Sequence, residues 1–210
     1  SFVRDKVTLK KESGRASTIP INLFIEEDQR YIRKWAIDKL VKKGNIFDIK
    51  ISRKKRNKKS YKKDVTVSGG QVISDGQKVE EYDAFYEYSL KNRTTQNWGN
   101  LTIKHGMFIF KDQFGAKDSE TGQTKDNIEV HWNTKIDSRK EVLFETKAFP
   151  IVETKFTKGI HFTNGASNKS EDELDGIWVG VFLGEKLIEE YSSPKSMDVP
   201  PDWREAPRKD

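Results

Sequence analysis

A two-residue alternation of apolar and polar side chains dominates the chain from about residue 46 to residue 191, and its longest run falls at residues 82–90. Because successive side chains of a β-strand point to opposite faces, such a run predicts a strand with one buried face. Similar runs recur about eight times, with turn residues but no helical stretches between them. This pattern predicts an antiparallel sandwich or barrel, since a parallel α/β sheet needs crossover helices.

Residues 1–44 lack this alternation and predict a short strand–helix segment. Two short strands are expected before residue 22, followed by a helix over about residues 26–43 with an acidic first turn and a basic last turn. Gly44 is predicted to end this helix. Its apolar positions at helical spacing are Ile32, Trp35, Ala36 and Leu40. We expect this stripe to pack on the sandwich and to bury Trp35.

The chain is therefore predicted to have three parts: the strand–helix segment at 1–44, the sandwich at 45–195, and a tail at 196–210. The prolines near the end of the chain are Pro194, Pro200, Pro201 and Pro207. We expect this end to be extended and poorly ordered.

Several classes of chemical site are disfavoured by the residue types present. The chain has no cysteine, which excludes disulfides, a thiolate nucleophile and a Cys-based zinc site. The three histidines lack the paired spacing of a metal site or catalytic pair: His105, His131 and His161. No nucleophile elbow or P-loop is present, and no apolar run approaches the length of a membrane-spanning helix. We expect a non-enzymatic chain without a metal, a cofactor or a membrane span.

The strongest charge feature is a basic run at residues 53–63, in a chain with a net charge of +6. Eight of these eleven residues are basic: Arg53, Lys54, Lys55, Arg56, Lys58, Lys59, Lys62 and Lys63. We expect them to project as a hairpin end that can bind anionic groups in a salt-dependent manner. The favoured interpretation is nevertheless a solvated loop whose lysines keep strand edges from pairing, with anion binding as the alternative. No base-reading helix accompanies the run, so an anionic glycan is favoured over nucleic acid.

The tryptophans receive different predictions. Trp98 lies in the polar, glycine-containing break at residues 97–100 and is the candidate for an exposed, sugar-stacking ring. Trp132 and Trp178 alternate with strand neighbours and are predicted to pack. Trp203 in the tail is free to be a docking residue.

The last two apolar runs predict a hairpin, because Gly184-Glu185 between them suits a two-residue type II′ turn. This hairpin alternates regularly and carries few positive charges. We therefore expect it to offer an assembly strand to another chain, through Ile177, Val179, Val181 and Leu187.

Two stretches resemble known families. Residues 18–24 (Thr-Ile-Pro-Ile-Asn-Leu-Phe) and residues 27–35, which run from Glu-Asp-Gln to Trp, are similar to the end of SLA1-homology-1 domains. These are small SH3-like repeats of exported planctomycete and verrucomicrobial proteins. The chain has Phe24-Ile25 where those domains carry a helix-capping Ser, and it lacks their earlier strands. The resemblance implies a partial SH3-like remnant.

The second resemblance spans roughly residues 46–195. It is carried by Tyr86–Asn92, Leu101–Ile103, Gly176–Val181 and Ser193-Pro194. These stretches resemble the immunoglobulin-like β-sandwich domains of exported verrucomicrobial proteins, among them pilus-associated secreted proteins of Akkermansia. The resemblance implies a secreted, periplasmic or surface protein that binds a protein partner or copies of itself. It transfers no catalytic residues. The alternative function is a carbohydrate-binding module for host or anionic glycans.

Overall fold

The computed structural model describes residues 2–3, 6–116, 123–157 and 159–208. A small antiparallel sheet and one α-helix come first. Their bounds are β1 (Phe2–Val3), β2 (Lys6–Lys10), β3 (Ala16–Pro20) and α1 (Glu26–Lys43), with a short 3-10 helix at Ile21–Leu23 before α1. The predicted helix is therefore confirmed within one residue at each end.

Nine further strands form two larger antiparallel sheets within the described residues. Their bounds are β4 (Phe47–Thr66), β5 (Val72–Asn92), β6 (Trp98–Lys111), β7 (Gln123–Ile136), β8 (Glu141–Glu145), β9 (Phe149–Phe156), β10 (Lys169–Glu171), β11 (Glu173–Leu183) and β12 (Lys186–Ser193). One sheet has the order β10-β9-β5-β4, with β8 also paired to β5, and the other has the order β12-β11-β6-β7. The prediction of a mainly β chain with antiparallel sheets after a short strand–helix segment is confirmed.

The two larger sheets pack face to face around one apolar core. Alternate side chains of β5, such as Tyr88 and Leu90, meet alternate side chains of β6 and β11, such as Ile103 and Val179. All four are at most 1% exposed. The two-residue alternation in the sequence therefore records which face of each strand is buried.

The C-terminal half of α1 covers one end of this core. Ile37, Leu40 and Val41 pack against it, and Gly44 ends the helix with φ +69° and an N–H directed at the carbonyls of residues 40 and 41. Trp35 is 36% exposed, and the Lys39 ammonium lies 4.4 Å from its ring centroid. The expected burial of Trp35 is wrong because the contact face of the helix is centred on residues 37, 40 and 41.

The described part of the tail, residues 196–208, packs on the outer face of the second sheet, contrary to the prediction of an extended end. A short 3-10 helix at Pro201–Arg204 places Trp203 flat against Phe108, with ring centroids 4.9 Å apart. Trp203 is fully buried, so it is not a free docking residue. Gly106 makes room for it, since a Cβ there would lie 2.4 Å from the indole ring. The Lys104 ammonium donates to the Asp202 carbonyl at 2.8 Å and pins the tail.

Candidate binding surface on an exposed strand ribbon

The basic run lies within β4 and is not a hairpin end. The turn joining β4 to β5 falls later, at residues 67–71, and the two strands pair along almost their whole length. Together they form the β4–β5 ribbon, which is about 65 Å long at the usual rise per strand residue. The prediction of a projecting loop is wrong. A run of lysines lacks the alternation of apolar and polar side chains that would have indicated a strand.

Within the described residues, β4 pairs with β5 alone, so it is an edge strand of its sheet. Every residue from 52 to 64 is exposed. The outer backbone edge and both faces of this stretch are therefore accessible to a partner. Lysines at such an edge also discourage uncontrolled strand pairing.

Five of the eight basic side chains form ion pairs with carboxylates on neighbouring strands. The pairs are Lys54–Glu87 at 3.7 Å, Lys55–Glu153 at 3.7 Å, Arg56–Glu145 at 2.9 Å, Lys58–Glu80 at 2.8 Å and Lys62–Asp75 at 3.4 Å. The basic side chains of these pairs are 46–60% exposed. Exposed pairs of this kind contribute little to stability because water and salt screen them. The ribbon is therefore a surface of weak, exchangeable ion pairs.

The remaining three basic side chains keep the ribbon positive. Arg53, Lys59 and Lys63 have no carboxylate within 4 Å among the described residues. β4 carries nine Lys or Arg and two Asp, whereas β5 carries two Lys and five Asp or Glu, which leaves a net charge of +4.

One carboxylate on β5 is held firmly in its ionised form. Glu80 accepts hydrogen bonds from the ammonium groups of Lys58 and Lys78, and these hold its pKa at about 2. The same hydrogen bond to Glu80 raises the pKa of Lys58. Glu80 and Lys58 are therefore both charged throughout the neutral pH range.

A bulge in β4 between Arg56 and Lys59 opens a shallow groove of about 690 Å³. Asn57 adopts φ +57° there, and its amide donates to the Asp83 carboxylate at 2.7 Å. Tyr82 lines the groove, and the Lys55 ammonium lies 3.9 Å from its ring centroid. Lys58 and Lys59 line the groove together with Glu81 and Asp83, so it presents both positive and negative groups to an extended polar ligand.

Trp98 is not the exposed ring that its polar surroundings predict. It is 2% exposed, its Nε1 donates to Thr94 Oγ1 at 3.1 Å, and its ring packs 6.0 Å from that of Phe47. The polar residues around it satisfy the indole N–H, which explains how a buried tryptophan can sit in a polar stretch.

The two strand tryptophans differ from each other. Trp178 packs as predicted, at 1% exposure, with its Nε1 donating to Glu190. Trp132 is 37% exposed, contrary to prediction, because it lies on the outer face of the edge strand β7.

The predicted assembly strand is wrong in the residues it names. The turn at Gly184-Glu185 is confirmed, with Leu183 paired to Lys186 and Gly184 at φ +61°. However, β11 lies between β12 and β6, so Ile177, Val179 and Val181 are fully buried in the core. Leu187 packs against the cluster around Trp203. Ile177, Val179 and Val181 are therefore not available to another chain, whereas Leu187 is only partly buried and lies on β12, an edge strand among the described residues.

Two of the three histidines meet inside the sandwich, which the sequence interpretation missed. His105 and His131 lie on neighbouring strands with ring centroids 5.5 Å apart. The Tyr88 hydroxyl is hydrogen-bonded to His105 Nδ1 at 3.0 Å, and Glu129 Oε2 lies 3.0 Å from Nε2 at an angle poor for a hydrogen bond. The alternation of β6 could have predicted the burial of His105, because residue 105 lies at one of the inward-facing positions of that strand.

His105 and Tyr88 of this cluster are buried in the core, whereas His131 and Glu129 at its margin are partly exposed. Burial lowers the pKa of His105 to about 4, although the Glu129 carboxylate acts in the opposite direction. Burial also lowers the pKa of His131 and raises that of Tyr88. His105 is 0% exposed, so a substrate cannot reach it in this conformation.

Searches for other kinds of site and for relatives gave negative results. Among the residues with described positions, no three His, Asp or Glu side chains are grouped to hold a metal ion. No helix in that part of the chain is long and apolar enough to cross a membrane. No protein-family model, curated protein or solved structure matches this chain.

Proposed function

We propose that this chain is a non-enzymatic, exported binding protein with an immunoglobulin-like sandwich, and that the β4–β5 ribbon is its contact surface. Two antiparallel sheets around a shared core support the sandwich assignment. The resemblance to exported, pilus-associated proteins supports a location outside the cytoplasm. The partner that fits the ribbon is an extended polyanion, such as a sulfated glycan.

One observation carries this proposal: the basic residues line an edge strand that is exposed from residue 52 to residue 64. A polyanion laid along it can reach several cations at once. Because the existing ion pairs are exposed and weak, a chain of sulfate groups can replace the carboxylates at little cost per pair. Release of counterions from the polyanion adds a favourable, salt-dependent term.

Chromatography on a sulfated resin tests the proposal. The ribbon variant replaces five cations with Gln at Lys54, Lys55, Arg56, Lys58 and Lys59. The control variant makes the same change in charge at exposed positions elsewhere, namely Lys10, Lys11, Arg15, Lys34 and Lys195. We expect the ribbon variant to elute at a much lower salt concentration than the parent, and the control to elute near the parent.

Equal elution shifts in the two variants would show that only net charge matters, and elution of the ribbon variant with the parent would reject the contact surface. Circular dichroism of both variants checks the fold. The replaced side chains are exposed, so we expect unchanged spectra.

A second candidate function is assembly with another protein chain through β7. Among the described residues β7 is an edge strand, and its Ile128 and Trp132 are 40% and 37% exposed. Exposed apolar side chains on an edge strand favour strand addition. Analytical ultracentrifugation of the parent and of a Trp132→Lys variant tests it. A homo-oligomer that dissociates in the variant supports this candidate, and a monomeric parent rejects self-assembly through β7.

A further inference from the structure

A second basic surface lies at the end of the sandwich that α1 covers. There the C-terminal end of α1, the loop at residues 93–96 and the turn at residues 137–140 surround a groove of about 430 Å³. Lys43 of the helix, Arg93 of the loop and Arg139 of the turn line it. Asn45, Thr95 and Gln96 add polar groups to its wall.

The three cations in this groove are uncompensated, unlike most of those on the ribbon. No described carboxylate residue lines the groove. Neither Lys43, Arg93 nor Arg139 has a carboxylate within 4 Å in the parts of the chain that the structure describes. Three positively charged residues therefore line one groove without a carboxylate partner among the described residues, and each arginine can offer two parallel N–H donors to an oxyanion.

The loops that carry the arginines are held in place by one buried amide. Asn92 is 0% exposed, and its Nδ2 donates to the Gln96 carbonyl at 2.7 Å and to the Asp137 carbonyl at 3.0 Å. Its Oδ1 accepts from the Thr94 N–H at 2.9 Å and from the Thr94 hydroxyl at 2.8 Å. Both loops are thus ordered before a ligand arrives, which lowers the entropic cost of binding.

The helix end beside the groove opposes an anion only weakly. A helix C-terminus carries about half a negative charge. Part of it is already neutralised, because the Gly44 N–H satisfies the carbonyls of Leu40 and Val41 at 3.1 Å. The three full positive charges outweigh what remains.

We propose that this groove binds a sulfate or phosphate group carried by a small polar molecule. The charge and the arginine donors select a tetrahedral oxyanion. The volume exceeds that of a single ion and lies within the range of small-molecule sites. The site shares no residue with the β4–β5 ribbon, so it stands independently of the function proposed above.

Titration of the 210-residue chain, followed by amide NMR, tests the site. The probes are inorganic sulfate, inorganic phosphate and a sulfated disaccharide, each added at constant ionic strength set with sodium chloride. We expect saturable shifts at the amides of residues 43–46, 93–96 and 139. The probe that binds most tightly identifies the source of the oxyanion.

The Arg93→Gln, Arg139→Asn double variant should bind each probe at least tenfold more weakly. Asn is chosen because residue 139 has φ +61°, which Asn tolerates. The double Arg→Lys variant keeps the charge but loses the paired donors, so we expect intermediate affinity. Amide spectra without ligand verify that both variants are folded.

The ribbon variant serves as the matched control and should bind the probes like the parent. Shifts confined to the ribbon, absence of saturation, or equal affinity in the Gln/Asn variant would overturn the site. Because retention on the sulfated resin depends on other residues, failure of the ribbon proposal leaves these results unaffected.

Discussion

Lowering the pH from 8 to 5 should destabilise this protein through His105. This imidazole is fully buried, with the Tyr88 hydroxyl at Nδ1 and the Glu129 carboxylate beside Nε2. Removal from water disfavours its protonated form, and this outweighs the attraction of Glu129, so its pKa falls from 6.5 to about 4. The unfolded chain binds a proton near pH 6.5, whereas the folded chain does so only near pH 4.

The direction and size of the change in stability follow from the difference between the folded and unfolded pKa values of His105. Because the folded pKa is depressed, the contribution to stability is complete above pH 6.5 and is lost as the pH falls towards 4. The total is about 3 kcal/mol, of which about 2 kcal/mol is lost by pH 5. Burial lowers the pKa of His131 as well, so its contribution has the same sign.

Urea denaturation at pH 8, 7, 6 and 5 measures this loss, since most carboxyl groups remain ionised above pH 5. His105→Gln removes the titrating ring and keeps an acceptor for the Tyr88 hydroxyl. The quantity compared is the change in unfolding free energy with pH, because the substitution itself also affects stability. We expect the loss between pH 8 and 5 to shrink by about 2 kcal/mol in this variant.

His161→Gln is the matched control, because His161 is exposed. It should retain the pH dependence of the parent. If His105→Gln loses as much stability as the parent between pH 8 and 5, the cluster does not determine acid lability and the reasoning is refuted.

Two further substitutions test the packing of the ends of the chain. Trp203→Ala should lower the unfolding free energy by about 3–5 kcal/mol, because the ring is fully buried against Phe108; an unchanged urea midpoint would show that the tail is dispensable. Trp35→Ala should cost about 1 kcal/mol or less, because the ring lies at the margin of the helix contact with only a cation–π contact from Lys39; a loss above 3 kcal/mol would contradict this placement.

The sequence predicted those parts of the fold that depend on local periodicity. The two-residue alternation at 82–90 and the helical spacing at 26–43 each follow from which face of an element is buried, and both elements formed as expected. Gly44 and Gly184 were also predictable, since each occupies a positive φ at a chain reversal.

Features that depend on distant partners were not predictable in this way. Trp98 is buried because Thr94 satisfies its N–H and Phe47 covers its ring. Trp203 is buried because Gly106, almost a hundred residues earlier, leaves space beneath it. Neither a polar stretch nor a proline-rich tail reveals such a partner.

The topology of the fold also determines which basic side chains have a carboxylate beside them. The density of basic residues along the sequence directs attention to residues 53–63, but strand register places carboxylates of β5, β8 and β9 beside five of those cations. Lys43, Arg93 and Arg139 are separated by some fifty residues each and form no motif, yet the fold brings them to one groove without a counterion among the described residues.

Uncompensated charge in a concave site favours a single small anion, whereas many exchangeable pairs along a strand favour a long polyanion. The two surfaces should therefore differ in salt dependence: binding at the groove falls shallowly with salt because few ions are released, and binding at the ribbon falls steeply.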